Sequence, residues 1–169
     1  MQKITPFLWF EKGAEEAAAF YVSVFNRNPG KNIESFVDAK NKYDEASSEA
    51  SGQPIGSVMI VSFELEGQAF TAINGGPVLQ FTGAISFVVE CKTQDEIDYF
   101  WEKLGEGGEM GQCGWINRDK FGVTWQIVPE ALPTLLSDAD GARSERVMKA
   151  MLKMTKINID DLQKAYDRV

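Results

Sequence analysis

The chemistry open to this 169-residue chain is limited by the complete absence of histidine. Without imidazole, the chain lacks the usual general base near neutral pH and the commonest transition-metal ligand. Acid–base work would fall to carboxylates, tyrosine, lysine or cysteine, and a metal ion would need oxygen or thiolate ligands. Glu11 and Glu90 end two similar predicted strands, and paired carboxylates are used in acid–base catalysis. Since a strand end is also where a solvated charge belongs, we favour the solvated interpretation.

Two cysteines, Cys91 and Cys113, are the candidates for nucleophilic chemistry. No base stands near either of them in the sequence, and isolated cysteines usually serve as small buried apolar side chains. They do not form a C-x-x-C pattern, which fits free thiols in a reducing, cytoplasmic setting. We therefore assign no catalytic residue from the sequence.

A polar side chain of another kind lies within CGWINRDKFGVTWQIVP, residues Cys113–Pro129. Two extended runs flank a charged turn, Arg118–Phe121, that Gly122 closes, and this is the pattern of a β-hairpin. We interpret the charges as turn residues. Successive side chains alternate across a strand, so Trp125 and Gln126 must lie on opposite faces. Gln126 therefore faces either a functional site or a packed core.

The other elements follow from hydrophobic periodicity and turn signals. Lys40–Gly56 is polar with almost nothing to bury, so we predict a solvated loop there. Strands are predicted at Ile4–Phe10, Ile33–Ala39, Ser57–Glu66, Gln68–Asn74 and Ala84–Cys91. Helices are predicted at Ala14–Phe25, after the Thr93–Glu96 capping box, and at Glu130–Leu136, Ser144–Met154 and Asp160–Tyr166.

The two halves of the chain resemble each other at a spacing of about 79 residues, with Leu8–Glu11 over Phe87–Glu90. Both halves show a strand, a helix and three further strands. Two copies of a βαβββ unit must bury the apolar faces of their open sheets. We therefore predict one α+β domain at residues 1–129, with repeats at about 1–77 and 83–129. A helical extension at 130–169 is expected to pack on the domain or on a dimer partner.

The bulk composition argues against several classes of partner. The net charge is −8, with 17 basic residues scattered among 25 acidic ones. Nucleic acids and anionic membranes are recognised by clustered lysine and arginine, so neither is an expected partner. No apolar run approaches the ~20 residues of a membrane helix, and the first residues do not resemble a signal peptide.

Several motifs resemble those of a known family. They are FLWF at Phe7–Phe10, FYVSVF at Phe20–Phe25, NGGP at Asn74–Pro77, GWINRDKFGVTWQIVP at Gly114–Pro129 and AMLKM at Ala150–Met154. They are similar to the vicinal-oxygen-chelate superfamily of glyoxalase I, extradiol dioxygenases and bleomycin-resistance proteins. The similarity is greatest to the branch labelled 3-demethylubiquinone-9 3-methyltransferase-like or phosphonate-operon-B-like. This resemblance implies a half-barrel of two βαβββ modules with C-terminal helices, and a homodimer.

The resemblance also implies where a site would lie, because superfamily enzymes bind a metal ion through His, Glu or Gln on the first and last strands of both repeats. By register, these positions are occupied here by Thr5, Thr71, Ala84 and Gln126. Neutral oxygens and a methyl group are poor ligands for zinc, nickel or iron. Shifting the opening strands by two residues offers only Phe7 and Ser86. We therefore predict no metal and no cofactor.

The methyltransferase label implies a cofactor-binding loop, for which the candidate is Gly75–Pro77. Such a loop normally joins a strand to a helix in a parallel doubly wound sheet. Here it leads into another strand, so we interpret it as a turn between the repeats.

The leading hypothesis is that the concave face of the half-barrel holds no metal and binds an unknown small, partly apolar molecule. Its candidate residues are Thr5, Phe7, Trp9, Thr71, Ser86 and Gln126. A metal-dependent lyase, isomerase or dioxygenase is the alternative, and a non-catalytic structural or partner-binding dimer is the second alternative.

Overall fold

The computed structural model describes residues 3–168 and has two compact units, Met1–Phe81 and Thr82–Val169. The strands are β1 (Phe7–Phe10), β2 (Phe36–Lys42), β3 (Val58–Leu65), β4 (Gln68–Asn74), β5 (Phe87–Cys91), β6 (Glu109–Met110), β7 (Trp115–Arg118) and β8 (Trp125–Pro129). The helices are α1 (Ala14–Asn26), α2 (Glu45–Ser51), α3 (Gln94–Gly105), α4 (Leu132–Leu136), α5 (Gly141–Met151) and α6 (Ile159–Asp167). The predicted α+β class, with two βαβββ modules followed by helices, is confirmed. None of the helices within residues 3–168 is long and apolar enough to cross a membrane.

The first unit is a four-stranded sheet in the order β1-β4-β3-β2, with α1 packed on one face. Only the β1–β4 pair is parallel, and the other pairs are antiparallel. Tyr21 of α1 stacks on Phe63 of β3, whose ring stacks in turn on Phe70 of β4 at 5.3 Å between centroids. Side chains two residues apart on a strand share a face, so alternate residues of β3 and β4 make this core and the residues between them lie on the other face.

The side chain of Asn74 joins three elements of the first unit. Its Oδ1 accepts a hydrogen bond from the Ala14 amide at 2.8 Å, which satisfies an otherwise unpaired donor at the start of α1. Its Nδ2 donates to Glu15 at 2.6 Å and to the Val58 carbonyl at 2.9 Å. The hydroxyl of buried Tyr43 donates to the Asn74 carbonyl. Asn74 thus fixes the end of β4 against the starts of α1 and β3.

The prediction of a solvated loop at Lys40–Gly56 is wrong. Strand β2 continues to Lys42, and α2 follows with a capping box between Asp44 and Ser47. No residue of α2 is buried, so its composition resembles that of a loop even though its cap supports a helix. Tyr43, which is 4% exposed, anchors the segment and was overlooked because a single apolar residue carries no periodicity.

The second unit repeats this architecture with the order β5-β8-β7-β6, and β5–β8 is its parallel pair. The predicted capping box of α3 is confirmed, because Thr93 accepts from the Glu96 amide and Glu96 accepts from the Thr93 amide. Ile97, Phe100 and Leu104, which recur at helical spacing, are buried. Helix α3 therefore covers one face of the second sheet.

The turn between β7 and β8 is built around the buried carboxylate of Asp119. Its Oδ1 accepts from the amides of Phe121 and Val123, at 2.8 and 3.0 Å, and its Oδ2 accepts from the indole N–H of Trp125 at 2.8 Å. Gly122 adopts a φ of 93°, which favours glycine. The turn interpretation of Asp119 is confirmed, and Trp125 is buried while Gln126 is partly exposed, as alternation requires.

Several predicted boundaries are wrong by a few residues. Strands β1 and β5 begin at Phe7 and Phe87, so Thr5, Ala84 and Ser86 precede the strands instead of lying within them. The last helix is capped by Asn158, whose Oδ1 accepts from the Asp161 amide, and not by Asp160. The apolar runs extend beyond the hydrogen-bonded ladders, which hydrophobicity alone does not reveal.

The spacing between the repeats also differs from the predicted 79 residues. Strands β1 and β5 begin at Phe7 and Phe87, and helices α1 and α3 at Ala14 and Gln94, which is one residue more than predicted in both cases. In the parallel ladders Phe7 lies beside Thr71, whereas Val88 lies beside Gln126. If Thr71 and Gln126 are matched, the counterpart of Phe7 is therefore Val88 and not Ser86.

Replacing Asn74 by alanine is expected to lower the free energy of unfolding by about 2–4 kcal/mol, because three side-chain hydrogen bonds are lost and each contributes ~0.5–1.5 kcal/mol. Urea unfolding followed by circular dichroism measures this change. The matched control is Asn41→Ala, an exposed position on β2 that should change stability by less than about 0.5 kcal/mol. Equal effects of the two substitutions would contradict the role assigned to Asn74.

Candidate ligand-binding site

The candidates in the first unit lie at the start of its parallel strand pair. Thr5 is exposed and precedes β1, while Phe7 is 55% exposed and lies beside the partly exposed Thr71. Thr71 is also paired with Ser62 across the antiparallel ladder. This row thus combines one aromatic ring with neutral hydroxyl groups.

Trp9, the remaining candidate of the first unit, has a structural role. Its indole N–H donates to the Gly76 carbonyl at 2.9 Å. Its ring lies so close to Gly75 that a Cβ there would come within 2.2 Å of the indole. The amides of Gly75 and Gly76 donate to the carbonyls of Phe10 and Glu11. Because these amides are already paired, the Gly-Gly turn does not fit a loop that binds a methyl-donor cofactor.

The second unit brings two candidates into contact. The side-chain amide of Gln126 donates to the Ser86 hydroxyl at 2.8 Å. On the sheet, Gln126 lies between Val88 on the parallel side and Trp115 on the antiparallel side. Gln126 is therefore part of a row of uncharged side chains on the sheet face opposite α3.

These surroundings do not fit a divalent metal ion. The side chains beside Gln126 are a neutral hydroxyl, that of Ser86, and the apolar Val88 and Trp115, so none adds a strong metal ligand. Catalytic zinc and iron sites use imidazole and carboxylate ligands. Throughout residues 3–168 no group of three or more Cys, Asp or Glu side chains is placed to hold an ion.

A groove of about 550 Å³ opens beside the row of uncharged side chains that contains Gln126, at the β6–β7 edge of the second sheet. Trp115, the cross-strand partner of Gln126, belongs to its wall. This volume lies within the range of small-molecule sites, about 300–1,000 Å³. The groove is lined by Met110, Gly111, Gln112, Cys113, Trp115, Asn117 and Thr155.

The polar wall of the groove is fixed by an ion pair behind it. Arg118 donates to Glu109 from Nε at 3.2 Å and from Nη2 at 2.7 Å. Asn117 Nδ2 donates to the other Glu109 oxygen at 3.3 Å. Hydrogen bonds from Arg118 and Asn117 hold the pKa of Glu109 below its ordinary value, so this carboxylate stays an acceptor. Asn117 Oδ1 consequently points away from Glu109 and lies beside Gly111.

The floor of the groove depends on an unusual backbone at Cys113 and Gly114. Both residues have positive φ, 58° and 79°. This conformation lets their amides donate to the carbonyls of Met154 and Thr155, at 2.8 and 2.7 Å. A Cβ on Gly114 would lie 2.4 Å from the Ile127 carbonyl, so only glycine fits there. These bonds bring Thr155 of the C-terminal segment to the edge of the sheet.

Sequence reasoning missed most of the groove. Of its lining, only Cys113 had been considered as a candidate, and it was expected to be a small buried side chain. Cys113 is in fact partly exposed. The alternation rule could have found Asn117, since it shares a strand face with Trp115. Nothing in the sequence pattern indicates Thr155, which main-chain hydrogen bonds bring to the groove.

The two thiols are expected to differ sharply in reactivity. Burial, and secondarily the charge of Glu96, raises the pKa of Cys91 to about 12, so almost none of it is thiolate at pH 8. Ellman's reagent should therefore label one fast thiol in the native protein and two after unfolding. Cys113→Ser should remove the fast reaction, whereas Cys91→Ser should leave it unchanged. Fast labelling of both thiols in the native protein would contradict this assignment.

Comparisons with known proteins agree with this architecture. A family model described as 3-demethylubiquinone-9 3-methyltransferase matches residues 2–128. A solved structure from Bacillus cereus, of a proposed 3-demethylubiquinone-9 3-methyltransferase called PhnB protein, is 35% identical with a TM-score of 0.62, over 75% of this chain and 99% of that one. A Pseudomonas aeruginosa protein shares the fold at 19% identity and a TM-score of 0.54, over 76% of this chain and 98% of that one. No curated protein matches the chain. The family match and the Bacillus relative show that this chain belongs to the 3-demethylubiquinone-9 3-methyltransferase family.

Proposed function

We propose that this protein binds a small, partly apolar molecule in the groove beside Trp115, with Gln126 as a neighbouring contact. The observation that carries the proposal is the groove of about 550 Å³ at the β6–β7 edge, whose wall includes Trp115, the cross-strand partner of Gln126. An indole beside a few convergent polar groups is typical of small-molecule sites. The paired βαβββ modules also support the relation to the vicinal-oxygen-chelate superfamily, whose members use sheet faces to hold ligands.

The groups on this face favour binding over catalysis. Apart from the thiol of Cys113, the side chains that line the groove do not titrate, and no cation or carboxylate stands among them. Backbone amides can stabilise an oxyanion. The amides of Cys113 and Gly114 instead donate to the carbonyls of Met154 and Thr155. The metal-dependent alternative is not favoured, because Gln126 has only neutral neighbours on its sheet.

Filling the groove tests the proposal. Thr155 is exposed at the groove edge, so Thr155→Trp should leave the fold intact while excluding a ligand. A fragment library is screened by saturation-transfer NMR, and affinities are measured from the indole N–H resonance of Trp115. We expect Thr155→Trp to weaken groove-binding fragments at least tenfold.

Thr134→Trp, an exposed position on α4, is the matched control and should bind fragments as the wild type does. If no fragment perturbs Trp115 in the wild type, the proposal is wrong. Equal binding by both tryptophan variants would place the ligand elsewhere and would also overturn it.

Replacing Gln126 by leucine separates a ligand contact from a packing role. The substitution keeps the side-chain size but removes the amide that bonds Ser86. If Gln126 contacts the ligand, affinity should fall three- to tenfold while the unfolding midpoint changes little. Lost stability with unchanged affinity would assign Gln126 to the core.

The remaining expectations stay predictions. The first-unit candidates Thr5, Phe7, Trp9 and Thr71 stay predicted ligand contacts of their own unit, and the response of fragment binding to their substitution tests them. A homodimer is supported by exposed apolar side chains such as Phe7 and Val88, 55% and 53% exposed. Analytical ultracentrifugation tests it. The cytoplasmic location rests on the two free cysteines.

A further inference from the structure

We infer that the ligand of the groove is an uncharged, planar aromatic molecule that donates a hydrogen bond to Asn117 Oδ1. This inference rests on the proposed function and specifies the chemical class of its ligand.

The absence of charge follows from the electrostatics of the groove. Its lining carries no formal charge, and the ions nearest to it in the chain are already paired. Glu109 and Arg118 are bound to each other, and Lys156, next to Thr155, is paired with Asp98 at 2.6 Å. A charged ligand would lose hydration on entering without meeting an opposite charge. A neutral ligand avoids that loss.

The planar shape follows from the walls. Trp115 presents an indole that is partly exposed, and aromatic rings pack on such a surface by stacking or by edge contact. Gly111 adds no side chain, and a Cβ there would come within 2.4 Å of Asn117 Oδ1. The glycine therefore lets the Asn117 amide lie directly against the main chain of Gly111.

The orientation of Asn117 explains why the ligand needs a hydrogen-bond donor. Its Nδ2 is used by Glu109, and the reverse orientation would set two acceptor oxygens against each other. Arg118 holds Glu109 in place, so Asn117 cannot easily turn its nitrogen into the groove. Asn117 therefore offers an acceptor, which an N–H or O–H group at the edge of a flat ligand satisfies.

Four naphthalene derivatives of matched shape test this class at pH 7. They are 2-naphthamide, which is neutral and has N–H donors, 2-naphthoate, which is anionic, 2-naphthamidinium, which is cationic, and methyl 2-naphthoate, which is neutral and planar without a donor. Dissociation constants are measured from the Trp115 indole and Asn117 side-chain resonances in ¹H–¹⁵N spectra. We expect 2-naphthamide to bind at least fivefold more tightly than each of the other three.

The variant Asn117→Leu keeps the size of the side chain and removes the acceptor. It should reduce the preference for 2-naphthamide over methyl 2-naphthoate to less than twofold. Asn41→Leu, on an exposed strand of the first unit, is the control and should retain the preference.

Each outcome is decisive for the inference. Equal or tighter binding of either ion, or of the methyl ester, overturns the ligand class while leaving small-molecule binding in the groove intact. The ligand class is also overturned if 2-naphthamide causes no response while other library fragments still bind at Trp115. A groove that binds no fragment at all overturns the proposed function together with this inference.

Discussion

The second unit depends on one buried carboxylate, that of Asp119. A buried carboxylate is costly unless hydrogen bonds satisfy its oxygens. Two backbone amides and the indole of Trp125 do so here. Those same bonds close the turn after β7 and set the register in which Trp115 faces Gln126. The alternation of strand side chains then decides which residues reach the ligand face, so the site is determined by a residue on the opposite side of the sheet.

In the first unit, an uncharged side chain satisfies the backbone groups at the ends of the elements. Asn74 joins the end of β4 to the starts of α1 and β3, while Asp119 joins the ends of a single hairpin. Each side chain satisfies backbone groups that would otherwise be unpaired where elements end. The repeats therefore share an order of elements but not the interactions that fix it, which accounts for the few identities between them.

Local signals in the sequence predicted a good part of the fold. The capping box at Thr93, the hairpin about Gly67 and the opposite faces of Trp125 and Gln126 each depend on neighbouring residues, and each is present. The helix after Tyr43 was missed because it buries no residue and so has no apolar stripe. The groove was missed for a different reason. Its walls come from the hairpin and from Thr155, and main-chain hydrogen bonds, which carry no residue pattern, bring them together.

The attachment of Met154 and Thr155 to the left-handed corner at Cys113 has a consequence for dynamics. Two main-chain hydrogen bonds at the rim of the groove also hold the C-terminal segment against the sheet. Local opening of that segment would dismantle the groove without unfolding the second sheet. A bound molecule that touches both Trp115 and Thr155 would oppose such opening by mass action. Ligand binding in the groove would therefore slow amide hydrogen exchange along the last helices, including residues that the ligand does not contact.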